Sequence, residues 1–175
     1  MRIPDYIWKF IKSWEGGDTT TNDKDDTGGL TRWGMSQNNN PDVDVKNLTE
    51  DQAKSIYFKR YWTVAYCDEI PDFMQLIQFN CSVNCGPNTA IKTLQKAIGV
   101  KSDGVVGELT RKALKNYKHG AKRFTLSYLS WQCLYYFNIA HRRESQFKWL
   151  RGWVRRSLGA CWETAVKFGR GNYEI

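Results

Sequence analysis

Apolar residues recur every three or four positions over several stretches of this 175-residue chain, and polar, glycine-containing segments separate them. Between Pro4 and Trp14, the residues Ile7, Trp8, Ile11 and Trp14 share one helical face, which predicts an amphipathic helix that stops at Gly16-Gly17. From Asp18 to Thr31 no apolar period survives, and Thr, Asn, Asp and Gly dominate, as in a loop or a small irregular hairpin. The following "LTRWGMSQ" reads as a short strand or a turn. "NLTEDQAKSIYFKRYW" opens on Thr49 and Gln52 at capping-box spacing and carries Ala53, Ile56, Tyr57 and Tyr61 at helical intervals, so a second helix is expected there.

"PDFMQLIQFNCSVNCGP" has no charge after Asp72 and places Phe73, Leu76, Ile77, Asn80 and Val83 near a helix period, the pattern of a buried central helix. "NTAIKTLQKAIGV" repeats the period, with Gly99 placed to close the helix, and Asp103-Gly104 marks a tight turn. Further helices are predicted from about Glu108 to Tyr117, from about Ala121 to Ala140 and across "FKWLRGWVRRSLGACW". There is no repeat with a period of roughly 20–50 residues, no low-complexity segment and no Pro/Ser linker. The pattern predicts a mainly α chain whose only β structure is small.

Length suggests about one domain, and folding should bury roughly 70% of the surface of the extended chain. With 41% hydrophobic and 14% aromatic residues, including eight Trp, the composition is globular, and the aromatic excess hints at a ligand-facing surface. No stretch approaches the ~20 apolar residues that span a bilayer. Asp5, Lys9 and Lys12 interrupt the apolar residues of the N-terminus, which therefore lacks the core of a signal peptide; synthesis in the cytoplasm is expected. The five cysteines form no CxxC pair and read as buried free thiols. The two His lie far apart, and the acidic loop lacks EF-hand spacing and its closing Glu, so neither a metal nor a cofactor is expected.

Charge is distributed unevenly. Residues 1–110 hold 12 Lys and Arg against 15 Asp and Glu, a net of −3, whereas residues 111–175 hold 14 against 3, a net of +11. Such polarity points to an anionic partner. Aromatic residues interleaved with base also suit single-stranded nucleic acid, but no RNP, OB or helix-turn-helix signature accompanies them, and nucleic acid is not the expected partner.

Glu15 stands where a helix pattern ends, against two glycines that let a polymer approach the backbone, with more carboxylates across the next loop. Glycoside hydrolysis needs such a pairing: one acid protonates the leaving oxygen, and a second group activates water or stabilises positive charge on the sugar. An exposed glutamate at a helix end beside an acidic loop is the plainer reading. Trp33, Tyr61 and Trp62 could lay flat faces against sugar C–H surfaces, and Gln37, Asn80 and Asn84 could bond N-acetyl or hydroxyl groups. The competing reading for the aromatics is core packing, which is favoured for Tyr57 and most of the Trp; for the two Asn it is a satisfied buried amide.

In sequence order, "EGG", "NDKDDTGGLT", "WGMSQ", "AKSIYFKRYW", "FNCSVNCGPNTAIKTLQKAIGVKSDGVVGELT" and "WLRGWVRR" resemble glycoside hydrolase family 108, the phage-endolysin and secretion-associated N-acetylmuramidases, over nearly the whole chain. The resemblance implies a lysozyme-like α+β fold. It also implies a catalytic region at residues 1–86 and a helical peptidoglycan-binding region at 87–175, packed together as one globular unit and acting as a monomer. The implied reaction is cleavage of the β-1,4 bond between N-acetylmuramic acid and N-acetylglucosamine, after release through a holin or another export route. A lytic transglycosylase and a non-catalytic wall-binding module are the alternatives.

Carried over by motif, Glu15 is the catalytic acid, Asp26 falls on the aspartate before the paired glycines, and Thr31 falls on the threonine after them, similar to the Glu-Asp-Thr arrangement of phage lysozymes. The loop departs from the family pattern: Lys24 and Thr27 replace its two prolines, and Asp23, Asp25 and Asp26 lie together, so the second carboxylate stays open among these three. Asn80 stands where the family helix often carries an acid. Peptidoglycan is the implied partner, and the basic C-terminal half suits anionic wall polymers or a membrane surface.

Overall fold

The structure, a computed structural model, describes residues 2–21 and 29–172, with side chains as far as residue 169. The chain forms two compact units, residues 1–60 and 61–175.

In the first unit, helix α1 (Asp5–Trp14) buries Ile7, Trp8, Phe10 and Ile11. Trp14, expected on that face, is 37% exposed: it sits on the last turn, where its ring leans on Phe10 (centroids 6.3 Å apart) while the chain turns away. Glu15 closes the helix, its N–H bonded to the Ile11 carbonyl at 3.1 Å. Gly16 and Gly17 follow with φ of +81° and +55°, two successive left-handed residues that a side chain would strain, and this explains the glycine pair.

Strands β1 (Thr31–Arg32) and β2 (Met35–Ser36) pair antiparallel, Thr31 opposite Ser36 and Arg32 opposite Met35. Trp33 and Gly34 between them both have positive φ, 54° and 73°, which identifies a type I′ hairpin turn. A tryptophan is costly in that conformation, and three bonds hold it: its N–H to the Gly17 carbonyl (3.1 Å), its indole N–H to the Leu48 carbonyl (3.1 Å), and the Tyr57 hydroxyl donating to its own carbonyl (3.0 Å).

Helix α2 (Glu50–Tyr57) starts with the capping box that its sequence predicts, Gln52 N–H to Thr49 Oγ1 at 3.3 Å and Thr49 N–H to Gln52 Oε1 at 2.9 Å. Its first residue ties α1 to α2, since Glu50 Oε1 accepts from Lys12 Nζ (2.6 Å) and Trp8 Nε1 (2.7 Å). The Lys12 bond first, and then the Trp8 bond, hold the Glu50 carboxyl below the ordinary glutamate value of 4.5. A lowered folded-state pKa favours the folded state above the ordinary range, and that stabilisation is lost as pH falls through it. With 41% of the Glu50 side chain exposed, screening limits the gain to about 1 kcal/mol or less. Glu50→Gln is therefore expected to lower the thermal midpoint slightly near neutral pH and to flatten its fall between about pH 5 and pH 3, measured by circular dichroism melts.

The chain passes through a π-helical turn (Phe58–Trp62) into the second unit, which holds α3 (Asp72–Cys85), α4 (Pro87–Ala97), α5 (Glu108–Lys115), α6 (Gly120–Arg142) and α7 (Phe147–Asn172). Helix α3 packs against α4, α6 and α7, which is why it carries no charge along its length after Asp72. Its Leu76, Ile77 and Phe79 are buried with Trp62, Phe124, Tyr128 and Tyr136. The buried Gln78 is bonded at both ends of its amide: Nε2 donates to the Ala65 carbonyl (3.0 Å) and Oε1 accepts from the Tyr128 hydroxyl (2.7 Å). Gly99 closes α4 with φ +76°, and Gln95 holds the Asp103-Gly104 turn from both sides, at 2.8 Å to Asp103 Oδ1 and 2.8 Å from the Gly104 N–H.

With seven α-helices and one two-stranded antiparallel sheet among the described residues, the fold is the mainly α, lysozyme-like α+β class expected. All five cysteines are free thiols: Cys67 and Cys81 are buried, and Cys85, Cys133 and Cys161 are half-buried. No described helix is long and apolar enough to cross a membrane.

Candidate active site

Glu15 is half-buried, and its side chain lies over the hairpin turn. A Cβ placed on Gly34 would meet Glu15 Oε2 at 2.6 Å, Glu15 Cβ at 2.7 Å and the Tyr57 hydroxyl at 2.7 Å. Only glycine lets these groups converge there, and its positive φ of 73° would strain a side chain as well. The Trp33 N–H bond to Gly17 joins the turn to the glycine pair after Glu15, so the carboxyl is fixed from the helix end and from the hairpin. Arg32 anchors β1 by two bonds to Asp18 Oδ1, at 2.6 and 3.2 Å, and one to the Lys46 carbonyl at 3.2 Å.

Thr31 lies on β1, half-buried. It exchanges both backbone bonds with Thr21 (2.8 and 2.9 Å) and donates from Oγ1 to the Gly29 carbonyl at 3.3 Å. The hairpin thus carries both Thr31 and the glycine that packs on Glu15. Asp26, like Asp23 and Asp25, lies outside the described residues.

The substrate-facing residues expected from sequence fall into different places. Trp33 is 7% exposed, with its indole N–H occupied. One edge nevertheless walls an open pocket of about 660 Å³ that Lys12, Arg32, Asp18 and Glu50 also line, and the Lys12 ammonium lies 5.9 Å from the ring centre. Glu15 does not line that pocket. Gln37 departs from the sequence reading, since its amide is a brace: Nε2 donates to the Asn40 and Val43 carbonyls (3.1 and 2.8 Å), and Oε1 accepts from the Val45 N–H (3.2 Å). A loop of unpaired backbone groups needed these bonds, which leaves the amide little to offer a sugar.

In the second unit, Tyr61 is half-buried, and its backbone carbonyl accepts from Ser82 Oγ at 3.1 Å. Trp62 is corrected to the core: it is 1% exposed and meets Phe79 edge-on at 5.2 Å. Asn80 is likewise 1% exposed, with Oδ1 accepting from Arg156 Nε at 2.7 Å. Asn84 is half-buried and donates to the Tyr136 hydroxyl at 2.8 Å, a group that also accepts from Gln132 Nε2 at 2.8 Å. The two Asn therefore join α3 to α7 and α6: the Asn84 amide donates to Tyr136, whereas only the oxygen of Asn80 is bonded and its Nδ2 is buried with no hydrogen-bond partner. Burial pushes the Tyr136 hydroxyl up, out of reach of ordinary pH.

Sequence reasoning passed over Gly34, whose signal was a Trp-Gly pair between two strand-like stretches, and it gave Tyr57 to the core, where it is buried, without the bond by which its hydroxyl holds the turn. It also counted Arg156 with the basic C-terminal half that suits an anionic surface. Arg156 is buried at 8% exposure, and the sign was there: it falls on the same side of the helix period as Ser157, Ala160 and Thr164. Among the described residues no group of three or more His, Cys, Asp and Glu could hold a metal ion.

Two family models cover most of the chain. Residues 8–86 match "Glycosyl hydrolase 108", and residues 89–158 match "Predicted Peptidoglycan domain". The first match runs past the compact unit 1–60 and takes in α3, so it covers Glu15 and the hairpin together with the central helix. No curated protein matches the sequence. Among solved structures, Brucella abortus SagA is similar at a TM-score of 0.74 and 26% identity, over 93% of this chain and 92% of that one. The hairpin-held Glu15, the α+β fold and these matches agree: residues 8–86 carry a glycosyl hydrolase 108 domain and residues 89–158 a predicted peptidoglycan domain, which together make the protein a peptidoglycan hydrolase of the glycoside hydrolase class.

Proposed function

We propose that the protein is an N-acetylmuramidase of lysozyme type, hydrolysing the β-1,4 bond between N-acetylmuramic acid and N-acetylglucosamine. The observation that carries this reading is the convergence of the Glu15 carboxyl and the Tyr57 hydroxyl on Gly34, at the end of α1, inside the family 108 region. A carboxylic acid clamped by a helix end and a hairpin can keep one orientation toward a glycosidic oxygen, which general acid catalysis requires. Glu15 donates the proton to the leaving oxygen. Asp26 stabilises the positive charge that develops on the sugar or orients the water, and Thr31 helps to place that water. Bond breaking leaves an oxocarbenium-like sugar, and water completes the product as a free reducing end. In this reading the chain is made in the cytoplasm and meets the wall after release through a holin or another export route.

Digestion of purified peptidoglycan followed by mass spectrometry tests the reaction. Muramic acid at new reducing ends is expected. Products one water lighter, closed as 1,6-anhydro rings, would replace the muramidase with a lytic transglycosylase. Binding to sacculi without any released fragment would leave a wall-binding module.

A further inference from the structure

Six exposed residues of helix α7 lie on one stripe, and Phe147, Trp149, Gly152, Glu163 and Lys167 are exposed beside it. Lys148, Arg151, Arg155, Leu158, Trp162 and Val166 follow at intervals of three and four, all exposed, the spacing that keeps side chains on one helix face. The other face is spent inside the unit, where Arg156 meets Asn80 of α3, Ser157 meets Tyr136 of α6, and Ala160 and Thr164 are buried. On the stripe itself three large apolar side chains stand in water: Leu158 at 55% exposure, Trp162 at 69% and Val166 at 56%. The stripe is cationic toward the start of the helix and apolar beyond its middle.

Charge selects the partner. Residues 120–172 carry ten Lys and Arg against two acids, Glu144 and Glu163, and α6, which packs beside α7, has no acid and exposes Leu126, Leu134 and Phe137. A glycan would use the flat face of Trp162, but Leu158 and Val166 offer it neither a ring face nor a hydrogen-bonding group. An anionic bilayer uses all six residues. Indole rings settle at headgroup level, aliphatic side chains enter the acyl boundary, and Lys and Arg meet phosphate.

We propose that the outward stripe of α7 docks on an anionic phospholipid surface, with Leu158, Trp162 and Val166 in the boundary between headgroups and acyl chains and Lys148, Arg151 and Arg155 against lipid phosphates. The docking is independent of the muramidase reading, and it would hold a wall hydrolase at the membrane side of its polymer.

Flotation of the full chain with vesicles tests it. Phosphatidylglycerol–phosphatidylethanolamine vesicles should carry the protein up, phosphatidylcholine vesicles should not, and added salt should release it. Arg151→Ala and Arg155→Ala should each weaken binding about fivefold, and Trp162→Ser about tenfold or more, with unchanged melting midpoints. Should Trp162→Ser unfold, Trp162→Phe in brominated-chain vesicles gives a second readout: it should lose most of the fluorescence quenching that the parent shows. Equal binding to phosphatidylcholine, or binding that none of these variants alters, overturns the proposal. So does a concentration-dependent dimer abolished by Trp162→Ser without vesicle binding, which would assign the stripe to a second copy. Loss of sacculus binding in the variants, again without vesicle binding, would assign it to wall polymer.

Discussion

Glu15→Gln is expected to lower the release of reducing ends from peptidoglycan by about 10³-fold, within the range of 10² to 10⁴ usual for a lost general acid, and to leave the fold intact. The amide has the size and planarity of the carboxyl, so it fits over Gly34 as Glu15 does. The helix end does not depend on the side chain, because the closing bond runs from the Glu15 backbone N–H to Ile11. What the amide lacks is a proton it can give to a leaving oxygen. Binding to sacculi should persist, which separates lost chemistry from lost recognition. Hydrolysis within tenfold of the parent would remove Glu15 from the reaction.

Gly34→Ala should impair both stability and activity. The left-handed backbone at φ +73° strains any side chain, and the new methyl would collide with Glu15 Oε2 and the Tyr57 hydroxyl at 2.6 and 2.7 Å. Together these are expected to cost about 2–3 kcal/mol in denaturant unfolding. The collision should also push the carboxyl off its axis, and a displacement of about 1 Å can reduce turnover about 100-fold. Gly99→Ala is the control. It has φ +76° but nothing within 4 Å of the added carbon, so about 1 kcal/mol of strain should appear with normal hydrolysis. Equal activity in the Gly34 and Gly99 variants would mean that the turn does not hold the acid.

The helices were legible in sequence because each has a local cause. The Thr49–Gln52 capping box involves residues three apart and forms as written. The charge-free run after Asp72 lies between three other helices, as a run without a polar face must. The acid at the end of α1 could also be read, since glycines after a helix and a glutamate before them are a local arrangement. Trp14 and Trp62 show where such reading stops. Both are large aromatics near a helix end, yet one is 37% exposed and the other 1%, and the difference lies in what packs against them from far along the chain.

By itself, then, the sequence determined the helix periods, the caps and turns, the excess of positive charge in the second half, and the motif that marks Glu15 and Thr31. These depend on residues a few positions apart, whose energetics are settled before distant contacts form. Tertiary structure alone decided that a hairpin glycine 19 residues after Glu15 makes room for its carboxyl. It also decided that Gln37 and Asn80 serve as internal braces, that Arg156 leaves the basic surface for the core, and that Leu158, Trp162 and Val166 stay outside. Each of these outcomes depends on which face of an element meets another, and that follows from the packing of the chain, where burial and hydrogen bonding are decided together.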